Sequence, residues 1–278
     1  MKWTDFASEI ILRCFLGIFL LITEFLPPFH RVIQPEELWL YRYPTSKSYY
    51  SGSLMWATVL LMPIITFLGF FSVRRDKQDL VQASFGAYLA IFLTGALTNC
   101  LKVVVGRPRP DFLARCYPDG LPENIKEIIC TGPENIVSEG LKSFPSGHSS
   151  LSFCCMTFIA MYIGGKLHVF SRGRGQGWRF ICFLIPLVWA TMISVSRVSD
   201  YHHHWQDVTV GSIVGIVIGY TCYRQVFPSL SRMNSHLAYS QVPPVIASPD
   251  TFIADPHTPL SPHNKSHEVD FQFVSKVV

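Results

Sequence analysis

The sequence is short of charged residues, and this shortage argues against a soluble protein. Asp, Glu, Lys and Arg make up 15% of its 278 residues, whereas a soluble domain carries about 25%. Hydrophobic residues reach 49%, aromatic residues reach 14%, and the mean hydropathy is positive. This composition excludes a soluble cytosolic enzyme, a disordered scaffold, a coiled coil and a collagen-like chain.

Other absences exclude further classes of protein. The net charge is only +4, and no basic stripe interleaved with aromatic residues indicates a nucleic-acid partner. Most of the eight cysteines lie inside apolar runs, which excludes a small secreted module held by disulfides. The three consecutive histidines at residues 202–204 have no carboxylate or cysteine at ligand spacing that would complete a zinc site. We therefore expect neither a metal nor a cofactor.

Long apolar runs dominate the sequence instead. A membrane-spanning helix needs about 20 mostly apolar residues, and five runs are free of charge over most of that length. They are residues 54–73, 83–101, 149–165, 180–196 and 208–223. A sixth segment, residues 6–26, is interrupted by Arg13 and Glu24 and can also be an uncleaved signal anchor. We predict an all-α polytopic membrane protein with six transmembrane helices.

Basic residues in the connecting segments predict the orientation of the chain. Lys and Arg accumulate on the cytoplasmic side of a membrane, and dense basic clusters occupy residues 74–81, 166–179 and the segment after 223. Both termini are therefore predicted to be cytoplasmic, and the loop 106–148 to face the lumen or the cell exterior. Cys116 and Cys130 lie in that loop, where an oxidising environment permits a disulfide; two free thiols are the alternative.

The end of the chain has a different composition. Residues 228–278 are rich in Pro, Ser and His, which is typical of disordered segments. We expect a membrane domain over residues 1–227 and a disordered cytoplasmic tail over residues 228–278. The glycosylation sequon at Asn264 falls in this tail and should remain unmodified.

Four polar motifs stand at the ends of the apolar runs, where ionisable residues are costly and usually mark function. They are Lys102 to Pro110, Pro145 to His148, Ser196-Arg197, and His202 to Asp207. These motifs end the third run, begin the fourth, end the fifth and begin the sixth. Since those four ends lie on one side of the membrane, we predict that the motifs meet there.

The converging side chains predict a pocket for a multiply charged anion. Arg109 and Arg197 carry planar guanidinium groups that match phosphate oxygens, and Lys102 supplies a point charge. Ser146 and Gly147 lead into a helix N-terminus, where free backbone N–H groups and the helix dipole favour an anion. Phosphate is the natural candidate.

Two histidines and a carboxylate add a candidate catalytic set. His203 and Asp207 are four residues apart, so on a helical turn Asp207 can hold one imidazole nitrogen and leave the other as a nucleophile. His148 can donate a proton to the leaving oxygen. Together with the cationic pocket, these residues predict a covalent phosphotransfer site.

Each motif also has an ordinary structural interpretation. Arg-Pro near a membrane surface is usually an interfacial residue pair, and Pro-Ser-Gly-His is most often a turn with a helix cap. Three consecutive histidines can bind a metal or be solvated. The position of all four motifs at helix ends on one side favours the functional interpretation.

The motifs together resemble the signature of the type 2 phosphatidic acid phosphatase family, which vanadium haloperoxidases and bacterial acid phosphatases share. That signature is Lys, six residues, Arg-Pro; then Pro-Ser-Gly-His; then Ser-Arg, five residues, His, three residues, Asp. Lys102, Arg109, Arg197, His203 and Asp207 match it. The spacing selects His203 among the three consecutive histidines. The resemblance covers about residues 6–228.

The resemblance implies a six-helix membrane fold with the phosphatase/haloperoxidase-type helical core and magnesium-independent hydrolysis of lipid phosphates through a phosphohistidine. It implies phosphate binding by Lys102, Arg109, Arg197, Ser146 and Gly147. In that scheme His203 attacks phosphorus, Asp207 orients it, and His148 protonates the departing oxygen. The most similar branch of the family is associated with phosphatidate, lysophosphatidate and diacylglycerol pyrophosphate. We expect the endoplasmic reticulum or the plasma membrane as its location.

Three alternatives remain open at the level of the sequence. An isoprenoid-diphosphate phosphatase uses the same motifs on a different lipid. A non-catalytic membrane protein, either a lipid-phosphate binding protein or a transporter, would need no nucleophile, and a transporter would typically show internal repeats. A haloperoxidase would hold vanadate in the same pocket. A homo-oligomer is compatible with the sequence, and no motif specifies one.

Overall fold

The regular structure is helical throughout residues 3–122 and 128–242, the part of the chain that the computed structural model describes. Eight α-helices follow one another along these residues, with 3-10 turns at Pro35–Tyr41 and Tyr239–Gln241. The helices are α1 (Trp3–Glu24), α2 (Gly52–Arg74), α3 (Lys77–Val105), α4 (Phe112–Cys116), α5 (Glu134–Gly140), α6 (Gly147–Lys166), α7 (Gly177–Ser199) and α8 (Trp205–Val226). The all-α prediction is confirmed for this part of the chain.

Four of the described helices are long and apolar enough to cross a membrane. They comprise Phe6–Glu24, Gly52–Arg74, Lys77–Val105 and Gly177–Ser199, so the interrupted run at residues 6–26 is among them. The other two predicted spans form α6 and α8, of 20 and 22 residues, which are less apolar. Most residues of α6 are buried by neighbouring helices, and a shielded helix does not need an apolar surface.

Polar residues and one glycine define where the spanning helices begin and end. The Ser51 hydroxyl accepts a hydrogen bond from the N–H of Leu54 at the start of α2, which satisfies a backbone donor left free at a helix N-terminus. α3 ends at Gly106, whose φ is 58°. A Cβ atom at this position would lie 1.8 Å from the Phe29 carbonyl oxygen. Only glycine fits there, and it stops α3 one turn after Lys102.

α6 is the central helix and packs against α2, α3, α7 and α8. Its contact with α8 is especially close because α8 carries a glycine every four residues, at 211, 215 and 219. A Cβ atom at Gly215 would lie 2.2 Å from the Ser150 carbonyl oxygen, and one at Gly219 would lie 2.5 Å from that of Cys154. Small residues at this spacing let two helix backbones approach. The N-termini of α6 and α8 are thereby held side by side.

The segment after α8 packs against the opposite ends of the helices. Lys166 forms a buried ion pair with Asp79 and donates a hydrogen bond to the His236 carbonyl oxygen at 2.6 Å. Leu230 and Ala238 are buried. Residues 228–242, which the sequence assigned to the tail, therefore belong to the compact unit that ends at Val242. The disordered tail remains a prediction for residues 243–278, which lie outside the described residues.

Two short helices and a disulfide organise the loop between α3 and α6. Cys116 at the end of α4 is bonded to Cys130, so the structure favours the disulfide over two free thiols. Phe112, Leu113 and Leu141 form a small buried cluster around the bridge, together with Tyr41 of the first loop. This cluster supports the backbone on either side of it, including the Arg-Pro motif and the approach to α6.

Candidate active site

Backbone hydrogen bonds join the Arg-Pro motif to the segment just before α6, and join the other three polar motifs to one another. The Arg109 N–H donates to the Gly140 carbonyl oxygen at 2.8 Å, and the Ser143 N–H donates to that of Arg107 at 3.0 Å. The Ser146 N–H donates to the Asp207 carbonyl oxygen at 3.0 Å, and the His203 N–H donates to that of Arg197 at 3.0 Å. Motifs up to about a hundred residues apart are therefore fixed to one another by the main chain.

A cavity of about 190 Å³ lies where these motifs meet. Six of the eight predicted site residues line it: Lys102, Arg109, Gly147, His148, Arg197 and His203. The other two lie outside this lining. Ser146 is the N-cap of α6, where its hydroxyl accepts hydrogen bonds from the N–H and hydroxyl of Ser149, and Asp207 lies behind His203.

The two arginines of the cavity are buried, and each keeps a donor free. Arg197 donates to the Ser48 hydroxyl at 3.0 Å and to the Tyr50 carbonyl oxygen at 2.8 Å, and it pairs with Asp200. Its Nε makes no hydrogen bond to any described residue, and neither does the Nε of Arg109. Buried donors are nearly always satisfied, so free donors around a cavity indicate the place of an anion.

Lys102 and Gly147 face each other across the cavity wall. A Cβ atom at Gly147 would lie 3.2 Å from the Lys102 Nζ, which is closer than most Cβ contacts. The absence of a side chain at residue 147 therefore leaves the ammonium group beside the first turn of α6. An anion at this place would contact both the positive charge of Lys102 and the N-terminal N–H groups of α6.

His203 is buried, and one backbone carbonyl fixes its orientation. Its Nδ1 is 2.7 Å from the Ser143 carbonyl oxygen. Because a carbonyl only accepts hydrogen bonds, Nδ1 carries the proton and the Nε2 lone pair is free. The pKa of His203 is lowered to about 4, mainly by burial and also by the charges of Arg109 and Lys102, against the opposing effect of Asp207. The ring is neutral at pH 7, as a nucleophile must be.

The sequence predicted a direct hydrogen bond between Asp207 and His203, but the structure does not contain one. The nearest carboxylate oxygen is 3.9 Å from the His203 Nδ1, which is too long for a hydrogen bond. The carboxylate instead accepts hydrogen bonds from the Ser143 hydroxyl at 2.6 Å, from Arg107 at 2.6 Å and from the His204 N–H at 3.0 Å. Asp207 holds Ser143, and the carbonyl of Ser143 holds the imidazole.

His148 is the second residue of α6 and lines the cavity together with His203. Its Nε2 is buried and makes no hydrogen bond within the described part of the chain. An imidazole with an unsatisfied nitrogen at the wall of a cationic cavity can exchange a proton with a bound ligand.

Arg107, Ser143 and Glu139 are among the polar residues of the site that sequence reasoning missed. Arg107 pairs with Asp207, Ser143 links Asp207 to His203, and Glu139 pairs with Arg109 at 2.5 Å. The repeated Arg-Pro at residues 107–110 is a sequence signal that can indicate Arg107. Ser143 and Glu139 lie just before the Pro-Ser-Gly-His motif, with no spacing that marks them.

Comparison with known proteins places the chain in a family. Residues 83–230 match the PAP2 superfamily. Lipid phosphate phosphatase 2 of Arabidopsis thaliana is 39% identical over 214 residues, which cover 75% of this chain and 72% of the relative. Diacylglycerol pyrophosphate phosphatase 1 of Saccharomyces cerevisiae is 31% identical over 212 residues, which cover 73% of each protein.

Proposed function

The chain belongs to the PAP2 superfamily and is a membrane lipid phosphatase, and we propose that its phosphohydrolysis proceeds through a phosphoryl group on His203. The observation that carries this proposal is a neutral, buried imidazole in one cavity with three cationic side chains. Lys102, Arg109 and Arg197 would bind the phosphate oxygens and stabilise the charge of the transition state.

The first step is transfer of the phosphoryl group. The His203 Nε2 lone pair attacks phosphorus, an N–P bond forms, and the bond between phosphorus and the lipid oxygen breaks. His148 gives its proton to the departing oxygen. The bound phosphate favours the protonated form of His148 because it places negative charge beside the ring.

The second step returns the enzyme to its starting state. A water molecule gives its proton to His148 and attacks phosphorus, the N–P bond breaks, and orthophosphate is released. Ser143 and Asp207 keep the His203 ring in one orientation through both steps. The cationic side chains neutralise the phosphate charge, so we expect the reaction to need no magnesium.

A large apolar groove supports a lipid as the substrate. It has a volume of about 850 Å³ and is lined mainly by α1, with contributions from α2 and α3. Leu20, Glu24 and Trp56 line both this groove and the catalytic cavity. Acyl chains in the groove would place their phosphate at the cationic residues. The substrates that we propose are phosphatidate, lysophosphatidate and diacylglycerol pyrophosphate.

The arrangement of the helices supports a topology with the site outside the cytosol. We propose that α6 and α8 cross the membrane together with α1, α2, α3 and α7, which gives six spans with both termini in the cytoplasm. The ends of α3 and α7 and the starts of α6 and α8 then share one face. The disulfide between Cys116 and Cys130 is consistent with an oxidising compartment on that face, in the endoplasmic reticulum or at the plasma membrane.

The proposal is tested by phosphate release from a panel of lipids. Purified protein in detergent containing EDTA is given phosphatidate, lysophosphatidate, diacylglycerol pyrophosphate and an isoprenoid diphosphate. We expect turnover of the glycerolipids that His203→Ala abolishes without loss of folded protein. Strict dependence on magnesium, or robust activity in His203→Ala, would refute the mechanism, and preference for the isoprenoid would refute the substrate assignment.

A further inference from the structure

An acidic side chain lies in the phosphate pocket, although no step of the reaction uses it. Glu139 stands near the end of α5 and lines the catalytic cavity. Its carboxylate pairs with the terminal nitrogen of Arg109 at 2.5 Å. The Glu139 side chain is 41% exposed and that of Arg109 only 10%. The carboxylate can therefore move toward solvent, whereas the guanidinium is held in place.

The backbone brings these two residues together. The Arg109 N–H donates to the carbonyl oxygen of Gly140, the residue after Glu139, at 2.8 Å. A Cβ atom at Gly140 would lie 3.0 Å from the Phe112 ring and 3.1 Å from Arg115 Cδ. The lack of a side chain at Gly140 lets α5 lie against α4, so the chain path itself places Glu139 beside Arg109.

Glu139 carries a negative charge in a cluster of positive ones. Burial would raise the pKa of Glu139, but the charges of Arg109, Lys102 and Lys142 outweigh burial and lower it. A substrate phosphate is also an anion and needs the donors of the same guanidinium. Because like charges repel, the carboxylate and the phosphate compete for Arg109.

On the basis of the proposed function, we propose that Glu139 is a resident counter-ion that neutralises Arg109 in the empty site, is displaced by the substrate phosphate, and returns as orthophosphate leaves. In the empty site the carboxylate offsets the cost of a buried, unpaired guanidinium. After hydrolysis it competes with orthophosphate, which three cationic groups would otherwise bind tightly. Glu139 thereby lowers the affinity of the site for orthophosphate and speeds the release of this product.

The test is the inhibition of phosphatidate hydrolysis by orthophosphate in Glu139→Gln. Glutamine keeps the size of the side chain and an oxygen for Arg109 but removes the charge. We expect the inhibition constant of orthophosphate to fall about tenfold, with a lower KM for phosphatidate. Glu139→Ala, which removes the group altogether, should shift both quantities in the same direction.

Glu134→Gln is the matched control. Glu134 is an exposed residue at the start of the same helix, so this variant makes the same change in net charge outside the cavity, and its inhibition constant should stay within twofold of the wild type. Unchanged or weaker orthophosphate inhibition in both Glu139 variants, or an equal shift in Glu134→Gln, would overturn the inference. A wild-type protein without phosphatidate hydrolysis would instead refute the proposed function.

Discussion

At the scale of the residue, a backbone carbonyl decides which nitrogen of His203 can react. The Ser143 carbonyl oxygen accepts from Nδ1, so the attacking lone pair is on Nε2. Asp207 acts on the same ring through the Ser143 hydroxyl, to which it is bonded. The carboxylate therefore positions the nucleophile indirectly, while Arg107 neutralises its charge.

The lowered pKa of His203 predicts an unusual acid limit of activity. A free histidine has a pKa near 6.5, and burial lowers that of His203 to about 4. The reactive neutral ring is populated above this pKa and lost below it, so activity should decline only as the pH falls through about 4. The measurement is kcat/KM against pH, corrected for ionisation of the substrate phosphate. An inactivation with a midpoint near 6.5 that remains after this correction would contradict the assignment.

Arg197 should not tolerate replacement by lysine. Its guanidinium is buried and holds Ser48, the Tyr50 carbonyl and Asp200 at once, which a single ammonium group cannot reproduce. We expect Arg197→Lys to lower kcat/KM on the order of 100-fold or more. Arg172→Lys, at an exposed position, is the control and should retain activity. Near-normal activity of Arg197→Lys would show that the planar guanidinium group, with its several donors, is not required.

The limits of sequence reasoning at this scale follow from the kind of contact involved. The fixed spacing of the signature located Lys102, Arg109 and Arg197. They stand at or near the ends of apolar runs, which the proposed topology places on one side of the membrane. Ser143 holds His203 through its backbone carbonyl, which any residue carries, and its hydroxyl meets Asp207 only through tertiary packing. Glu139 acts through a pair with Arg109 that depends on how α5 lies against α4, and no local pattern encodes that packing.

At the scale of the element, the contact between α6 and α8 sets the geometry of the site. His148 lies on the first turn of α6, and His203 lies just before α8. Close approach of the two helices along Gly211, Gly215 and Gly219 brings those ends together. Hydrophobic runs predicted both helices, but hydropathy carries no information on how near two helices lie. The spacing of the three glycines does carry that information.

This packing predicts opposite effects for two glycine substitutions. A Cβ atom at Gly215 meets the backbone of α6 at 2.2 Å, whereas one at Gly69 of α2 meets nothing within 4 Å. Gly215→Ala should destabilise the protein by about 1–3 kcal/mol and reduce activity. Gly69→Ala should be neutral or stabilise by up to about 1 kcal/mol, because alanine favours helix. Thermal unfolding in detergent measures both, and equal stability of the two variants would contradict the packing argument.

At the scale of the whole molecule, the proposed six-span topology would place all four polar motifs on one side of the membrane, where they form one site. Composition predicted the membrane class, and apolar runs predicted the helices. The composition of residues 228–278 as a whole predicts disorder, but the prolines lie mostly after residue 242. The segment 228–242 is instead bound to Lys166 and the helix ends through a backbone carbonyl and apolar contacts. Composition alone cannot report such tertiary contacts.

The topology predicts which sequons receive a glycan. Asp119 and Leu121 are exposed in the loop between α3 and α6, and the double variant Asp119→Asn, Leu121→Ser creates a new sequon there. Expressed in eukaryotic cells, this variant should gain a glycosidase-sensitive mass. The unmodified chain, whose own sequon at Asn264 is predicted to be cytoplasmic, should not. A glycan on the unmodified chain, or none on the variant, would reverse the proposed orientation.

Capture of the phosphorylated enzyme tests the central mechanism most directly. Protein is mixed with phosphatidate labelled at phosphorus, quenched within milliseconds in alkali, digested and mapped by mass spectrometry. The mechanism predicts label on the peptide that contains His203, stable to alkali, lost in acid and missing from His203→Ala. Steady turnover with no label at any time after mixing, or with label on another residue, would contradict it.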